Sequence, residues 1–382
     1  MGGGYSFVFF TRKKVKPFFI ALFALLTISP VISFAENPKQ SFYSLLYLEG
    51  KVHYGFLIPH HPEMWMLTSG YFPTYEISLV KQTTGRKCSS YYRNYPMIGL
   101  GYFYSELSDS KYLGQLNAVI PFIDLPLLKT KKTVLDFKIG LGVGHLSKKF
   151  DRLENYQNQA VGSYYNAAVN FQLRLRLQMS PRTFFNAGIS FLHLSNGTIK
   201  TPNYGLNIPN TFAGLTVKLN KKPVNYQIPE VLIKNKGKIN FRLMGSVATK
   251  QENKQWDEDY LVYVANALIS GYYNNSNRIL FGVDGIYDES SRALLEMHGD
   301  TLTEISELTK YGINIGHEWV FSRIAFNFCM GYYLYNPDKT NTEFYDKMGI
   351  NFFITRNVFF GLILEAHYAK ADFLSVGLGI NL

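Results

Sequence analysis

Apolar and polar residues alternate with a period of two along most of this chain, and the run from Tyr165 to Met179 shows the pattern at greatest length. Tyr165, Ala167, Val169, Phe171, Leu173, Leu175, Leu177 and Met179 form one set, and Asn166, Ala168, Asn170, Gln172, Arg174, Arg176 and Gln178 lie between them. Successive side chains of a strand point to opposite faces, so the segment predicts one apolar face and one strongly polar face. It is longer than the roughly 9 to 11 residues a tilted strand needs to cross a bilayer. A soluble sandwich also alternates, but its strands bury their apolar face with about 5 or 6 residues. The pattern therefore predicts an all-β fold, a transmembrane antiparallel β-barrel.

Other segments repeat the alternation. Leu135, Phe137, Ile139, Leu141 and Val143 face away from Asp136, Lys138, Gly140 and Gly142; Ile324 to Leu334 and Leu374 to Leu382 read the same way. The last of these finishes at the C-terminus, as in outer-membrane barrels, with Leu382 in place of the usual terminal aromatic. About sixteen strands are expected, beginning near residues 42, 71, 96, 112, 133, 164, 184, 210, 238, 259, 279, 309, 323, 344, 357 and 371. The tight connections at Thr130-Lys131-Lys132, Ser180-Pro181-Arg182, Phe321-Ser322-Arg323 and Thr355-Arg356-Asn357 are candidates for the periplasmic side, where barrel turns are short.

Between the eighth and ninth segments lies a Lys-rich connection with Pro223 and Pro229. A link this long and polar favours two tandem eight-stranded barrels, in 36–220 and 238–382 with a linker over 221–237, against the alternative of one sixteen-stranded barrel. The halves also end alike, His193-Leu194-Ser195-Asn196-Gly197 leading into one last strand and His367-Tyr368-Ala369-Lys370-Ala371 into the other. Ala369 replaces the serine, so the second barrel is expected to be non-catalytic.

Residues 1–35 have the order of a secretory signal peptide: Arg12, Lys13, Lys14 and Lys16, an apolar run from Phe18 to Phe34, and a cut after Ala35. An uncleaved anchor helix is the alternative; Pro30 and the small-residue site favour cleavage. Without the leader's four basic residues, 35 Lys and Arg stand against 28 Asp and Glu, an excess of seven that suits an anionic membrane surface or lipopolysaccharide phosphates and equally suits mere solubility. The 28 Tyr and 30 Phe are explained by interfacial anchoring. Cys88 and Cys329 define no disulfide framework, and neither zinc spacing, a phosphate-cradling glycine loop nor a nucleic-acid motif is present, so no metal, cofactor or nucleic-acid partner is expected.

Candidate chemistry concentrates at the outer end of the seventh segment. Phe185, Ala187, Ile189 and Phe191 run into His193 and Ser195 on the same face, so an imidazole and a hydroxyl two residues apart face lipid. The plainer alternative is a polar girdle in the headgroup zone. His193 to Gly205 resembles the lipid A 3-O-deacylase family, eight-stranded outer-membrane barrels with a serine esterase site, through His193, Ser195, Asn196, Pro202, Asn203 and Gly205, with looser similarity over about 40–220. The resemblance implies a bacterial outer-membrane carboxylic ester hydrolase that removes an acyl chain from lipid A of lipopolysaccharide in the outer leaflet. Ser195 would be nucleophile, His193 general base, and Asn196 with the Gly197 N–H the oxyanion donors. The family's glutamate falls at Asn207, which leaves Asn207 itself, Asp151 or Glu154 as the third member. His145-Leu146-Ser147 repeats the spacing without the continuation and reads as girdle polarity or a lipid-phosphate contact. The contrasting expectation is a catalytically silent barrel acting as a porin, adhesin or structural protein.

Three expectations remain for other segments. Arg174 and Arg176 with Asp136 and Lys138 should fill a narrow lumen with paired charge. Ser290 to Thr309 reads as a long outer loop with a helical turn. No stretch after the leader is long and apolar enough for a membrane helix.

Overall fold

The computed structural model describes residues 41–230, 232, 234–252, 258–297, 305–337, 342–368 and 370–382. The leader assigned to residues 1–35 lies outside these, as does Ala369. The first barrel is formed by β1 (Leu46–Phe56), β2 (Tyr71–Gln82), β3 (Met97–Glu106), β4 (Gln115–Lys129), β5 (Thr133–Leu146), β6 (Tyr165–Gln178), β7 (Thr183–Ser195) and β8 (Leu206–Lys218). Each pairs antiparallel with the next, and β1 closes on β8.

The second comprises β9 (Ile239–Lys250), β10 (Tyr260–Tyr272), β11 (Asn277–Asp288), β12 (Thr309–Phe321), β13 (Ile324–Tyr335), β14 (Phe344–Phe353), β15 (Val358–His367) and β16 (Lys370–Asn381). Here β16 closes on β9. The fold is thus two closed eight-stranded barrels and not one sixteen-stranded wall. Short helices, α1 (Cys88–Tyr92) and α2 (Ser290–Met297), sit in connections, and no helix among the described residues is long and apolar enough to cross a membrane.

The barrels are inside-out relative to a soluble protein. On β6, Phe171, Leu173 and Leu175 are exposed on the outer wall while Asn170, Gln172 and Arg174 are buried. In the first lumen Arg174 pairs with Glu49, Asp124 and Asp136; Arg176 takes the other oxygen of Asp136; and Lys51 and Lys138 share Glu76. These side chains are drawn from β1, β2, β4, β5 and β6, so the cluster reaches across the lumen. Toward the end that carries the longer loops the filling turns apolar: Leu192, Leu194, Leu206 and Ile208 point inward and meet Met64 and Leu67 of a 3₁₀ turn that enters the mouth.

Three strand starts differ from expectation by three or four residues. Phe42–Leu45 forms a 3₁₀ turn, since Ser44 and Leu45 are buried together and break the alternation. β4 waits for the turn over 109–114, where Leu113 N–H returns to the Asp109 carbonyl. β8 begins at Leu206, earlier than expected, because Asn207, Pro209 and Asn210 have turn composition yet pair with β7. The expected helical turn after Ser290 is α2, with a 3₁₀ turn at Ile305–Leu308.

Candidate active site

The site is built on the β7–β8 hairpin at the loop end of the first barrel. β7 alternates, so inward Leu192 and Leu194, fully buried, anchor the strand and leave His193 and Ser195 on the outer face. The register pairs His193 directly with Asn207, across a hairpin loop of residues 196–205. Directly opposed residues have Cβ atoms about 4.5–5.5 Å apart, close enough for a side-chain hydrogen bond. His193 Nδ1 is 2.6 Å from Asn207 Oδ1.

A third residue, not anticipated from the sequence, extends this chain of contacts. The Asn207 Nδ2 group lies 3.2 Å from His60 Nδ1, and His60 Nε2 lies 2.8 Å from the Tyr204 carbonyl. His60 Nδ1 also lies 3.3 Å from the Ile58 carbonyl, so the ring stands between two carbonyls and the Asn207 amide. With Nδ2 toward His60, the Asn207 amide turns its oxygen to His193; an amide oxygen only accepts, so His193 holds its proton on Nδ1 and leaves Nε2 as the base. Two adjacent histidines before Pro62, in a chain with only eight, were the available signal.

The hairpin loop folds back over Ser195. Asn203 Nδ2 donates to Ser195 Oγ at 2.9 Å, and the Gly197 N–H donates to the same atom at 3.2 Å. Asn203 is itself held by accepting the Asn196 N–H at 3.1 Å. Gly205, at φ +79°, lies under the pair: a Cβ there would stand 3.1 Å from His193 Cε1 and 3.0 Å from the Leu194 carbonyl. Only glycine combines that backbone conformation with that closeness. No hydrogen bond joins His193 and Ser195, whose hydroxyl oxygen accepts the two donors from the loop and keeps its own proton to give.

The structure redistributes the roles expected for the neighbours. The Asn196 side chain is buried and spent on the loop, donating to Ser163 Oγ and the Lys200 carbonyl. The side-chain amide that reaches Ser195 is that of Asn203. Asp151 accepts the Glu154 and Leu153 N–H groups, which hold its carboxyl below the usual range; neither Asp151 nor Glu154 meets His193. At the repeat of the spacing, Ser147 Oγ accepts the Gln115 N–H, and the His145 ring packs against Tyr164 and Tyr165. His367 faces the second lumen, bonded to the Phe344 carbonyl and Asp372, whereas His193 faces outward.

Below His193 the outer wall holds a groove of about 630 Å³. Tyr54, Tyr71, Phe137, Phe171 and Phe191 line it, with Gly55 and Thr211 among its smaller residues. Phe191 is two residues below His193 on the same face, so the groove runs along the strands from the candidate site.

Residues 74–216 match the family model described as lipid A 3-O-deacylase (PagL), and residues 238–382 match that of the acyloxyacyl hydrolase C-terminal domain. No curated protein matches the chain. Among solved structures, Neisserial surface protein A is similar over 45% of this chain and 96% of its own, at 11% identity and a TM-score of 0.33. A mutant of Rhodopseudomonas blastica porin is similar over 88% of this chain and 100% of its own, at 9% identity and a TM-score of 0.19. Neither likeness adds to the fold read from the strand pairing.

Proposed function

Because the chain belongs to the lipid A 3-O-deacylase and acyloxyacyl hydrolase family, whose members are hydrolases acting on lipid A, we propose that it is an outer-membrane serine esterase that removes an ester-linked acyl chain from lipid A. The observation that carries the reading is that Asn203 and the Gly197 N–H both donate to Ser195 Oγ, with the His193–Asn207 pair two residues along the same outward face.

In the proposed reaction, Ser195 Oγ attacks the ester carbonyl and forms a C–O bond while its proton passes to His193 Nε2. Asn203 and the Gly197 N–H, which converge on Oγ in this structure, stand beside the point of attack and would receive the carbonyl oxygen as it becomes an oxyanion. Collapse breaks the bond to the sugar oxygen, and His193 returns the proton to that leaving hydroxyl. Water then attacks the acyl-serine carbonyl, with His193 taking its proton and restoring it to Ser195. Asn207 keeps His193 in the required tautomer but supplies no negative charge to the imidazolium. The aromatic groove would receive the departing acyl chain. The outer leaflet of the bacterial outer membrane is where this substrate resides, and the outward face of the site suits it.

The silent-barrel alternative is weakened in its porin form, since the first lumen is filled by buried ion pairs and stoppered by Met64 and Leu67. The test is incubation of the purified full chain with lipopolysaccharide in detergent, followed by mass spectrometry of lipid A and of released hydroxy fatty acid. Stoichiometric loss of one acyl chain is expected. A well-folded protein inactive toward every lipid A offered would reject the reading.

A further inference from the structure

We infer that the second barrel is a positioning element for this site, acting by clasping the loop after Ser195; the inference rests on Ser195 being the nucleophile. Thr198 has φ +61°. For a β-branched residue this is a strained conformation that persists only where its surroundings over-determine it. Two of its contacts come from the second barrel. The Gln251 N–H donates to the Thr198 carbonyl at 2.9 Å, and the Thr198 hydroxyl stands between the Asp372 carbonyl and that of Gly197, sharing one proton between them. The Thr201 N–H donates to Gln251 Oε1 at 3.0 Å, so one residue of the β9–β10 loop grips the hairpin at two points.

Between Ser195 and this grip stands Gly197, whose N–H points at Ser195 Oγ. At φ +62° it lies against β16, and a Cβ there would be 2.9 Å from Leu374 Cβ. The direction of the Gly197 donor is therefore fixed from the side of the second barrel. Asp372, which offers its carbonyl to Thr198, is itself held by its side chain, paired with Lys250 at 2.8 Å and beside His367 at 3.3 Å inside the second lumen. The paired charges of one barrel thus hold the backbone that sets a donor on the other.

The test compares full-length variants in kcat, KM and amide exchange of residues 197–205. Gln251→Ala and Thr198→Val should lower kcat about ten- to a hundredfold, the scale of a misplacement of about 1 Å, with KM within about twofold. Exchange of the loop amides should quicken while β7 and β8 keep their protection. Thr198→Ser retains the hydroxyl and should act like the wild type. Arg93→Ala is the control: Arg93 joins the barrels at the opposite end, through the Ser276 carbonyl at 3.0 Å and Asn277 at 2.8 Å. It should leave kcat and loop exchange unchanged.

If Gln251→Ala and Thr198→Val match Arg93→Ala in both readouts, the clasp is overturned. A rise in KM at constant kcat also overturns it. Should Gln251→Ala fail to fold, the contrast of Thr198→Val with Thr198→Ser decides. If the wild type releases no fatty acid yet loop exchange responds as stated, the clasp stands and the Ser195 reading falls.

Discussion

Asn207→Asp tests how much of the reaction depends on charge at the third position. The substitution is nearly isosteric and puts a carboxylate oxygen where Oδ1 now lies 2.6 Å from His193 Nδ1. A hydrogen bond to a charged group contributes about 1.5–3 kcal/mol, against about 1 kcal/mol for a neutral pair. Part of that difference, about 1–2 kcal/mol, arises only when His193 becomes an imidazolium, and it corresponds to about a five- to thirtyfold increase in kcat. The cost is the loss of the Nδ2 contact with His60 Nδ1, 3.2 Å away. Asn207→Ala removes the neutral hydrogen bond instead, worth about 0.5–1.5 kcal/mol, and should lower kcat about two- to tenfold. The assay is steady-state release of fatty acid from lipopolysaccharide, with kcat and KM separated. If Asn207→Asp and Asn207→Ala lose activity alike, the amide is needed as an amide, and the argument from charge is refuted.

Ser195→Ala and His193→Ala should each reduce deacylation by about a thousandfold or more with the barrel still heat-modifiable on gels, whereas Ser147→Ala should change it less than about twofold; acyl release persisting in Ser195→Ala would exclude the serine mechanism. A fragment ending near residue 220 should fold alone in detergent, because β1 pairs with β8 and leaves no open edge; aggregation of the fragment under conditions that refold the full chain would contradict this. Ile189→Trp should obstruct the aromatic groove and raise KM for long acyl chains more than for short ones, as read from a chain-length series; equal effects on all lengths would remove the groove from substrate binding.

The fold was legible because a wall between lipid and a polar lumen imposes the same period on every strand, and β6 states it with Arg174 and Arg176 between leucines. Errors came at the strand ends, where the constraint lapses. Phe42 to Leu45 look like a strand but bury two neighbours together, and Pro209 looks like a turn but pairs with Phe191. In the candidate site, His193 and Ser195 could be found from shared facing alone. Asn207 needed the resemblance, although its pairing with His193 follows once the hairpin register is known. His60 and the role of Asn203 were out of reach, since the first arrives from another loop and the second depends on the hairpin folding back on itself. Contacts from the second barrel leave no mark in local pattern at all.

The ion pairs of the first lumen bear on how the wall comes to have one register. Four carboxylates, Glu49, Glu76, Asp124 and Asp136, meet four cations, Lys51, Lys138, Arg174 and Arg176, and several partners sit on strands that are not neighbours in the sheet. A slip of one residue on β6 would turn Arg174 and Arg176 toward lipid and send leucines inward. A slip of two would keep the facing but strand charges without partners in a water-poor interior, where an unpaired charge costs several kcal/mol. The apolar exterior tolerates sliding; the lumen does not. The cluster acts as a checksum on assembly, satisfied only when distant strands have met in the correct register and the wall has closed.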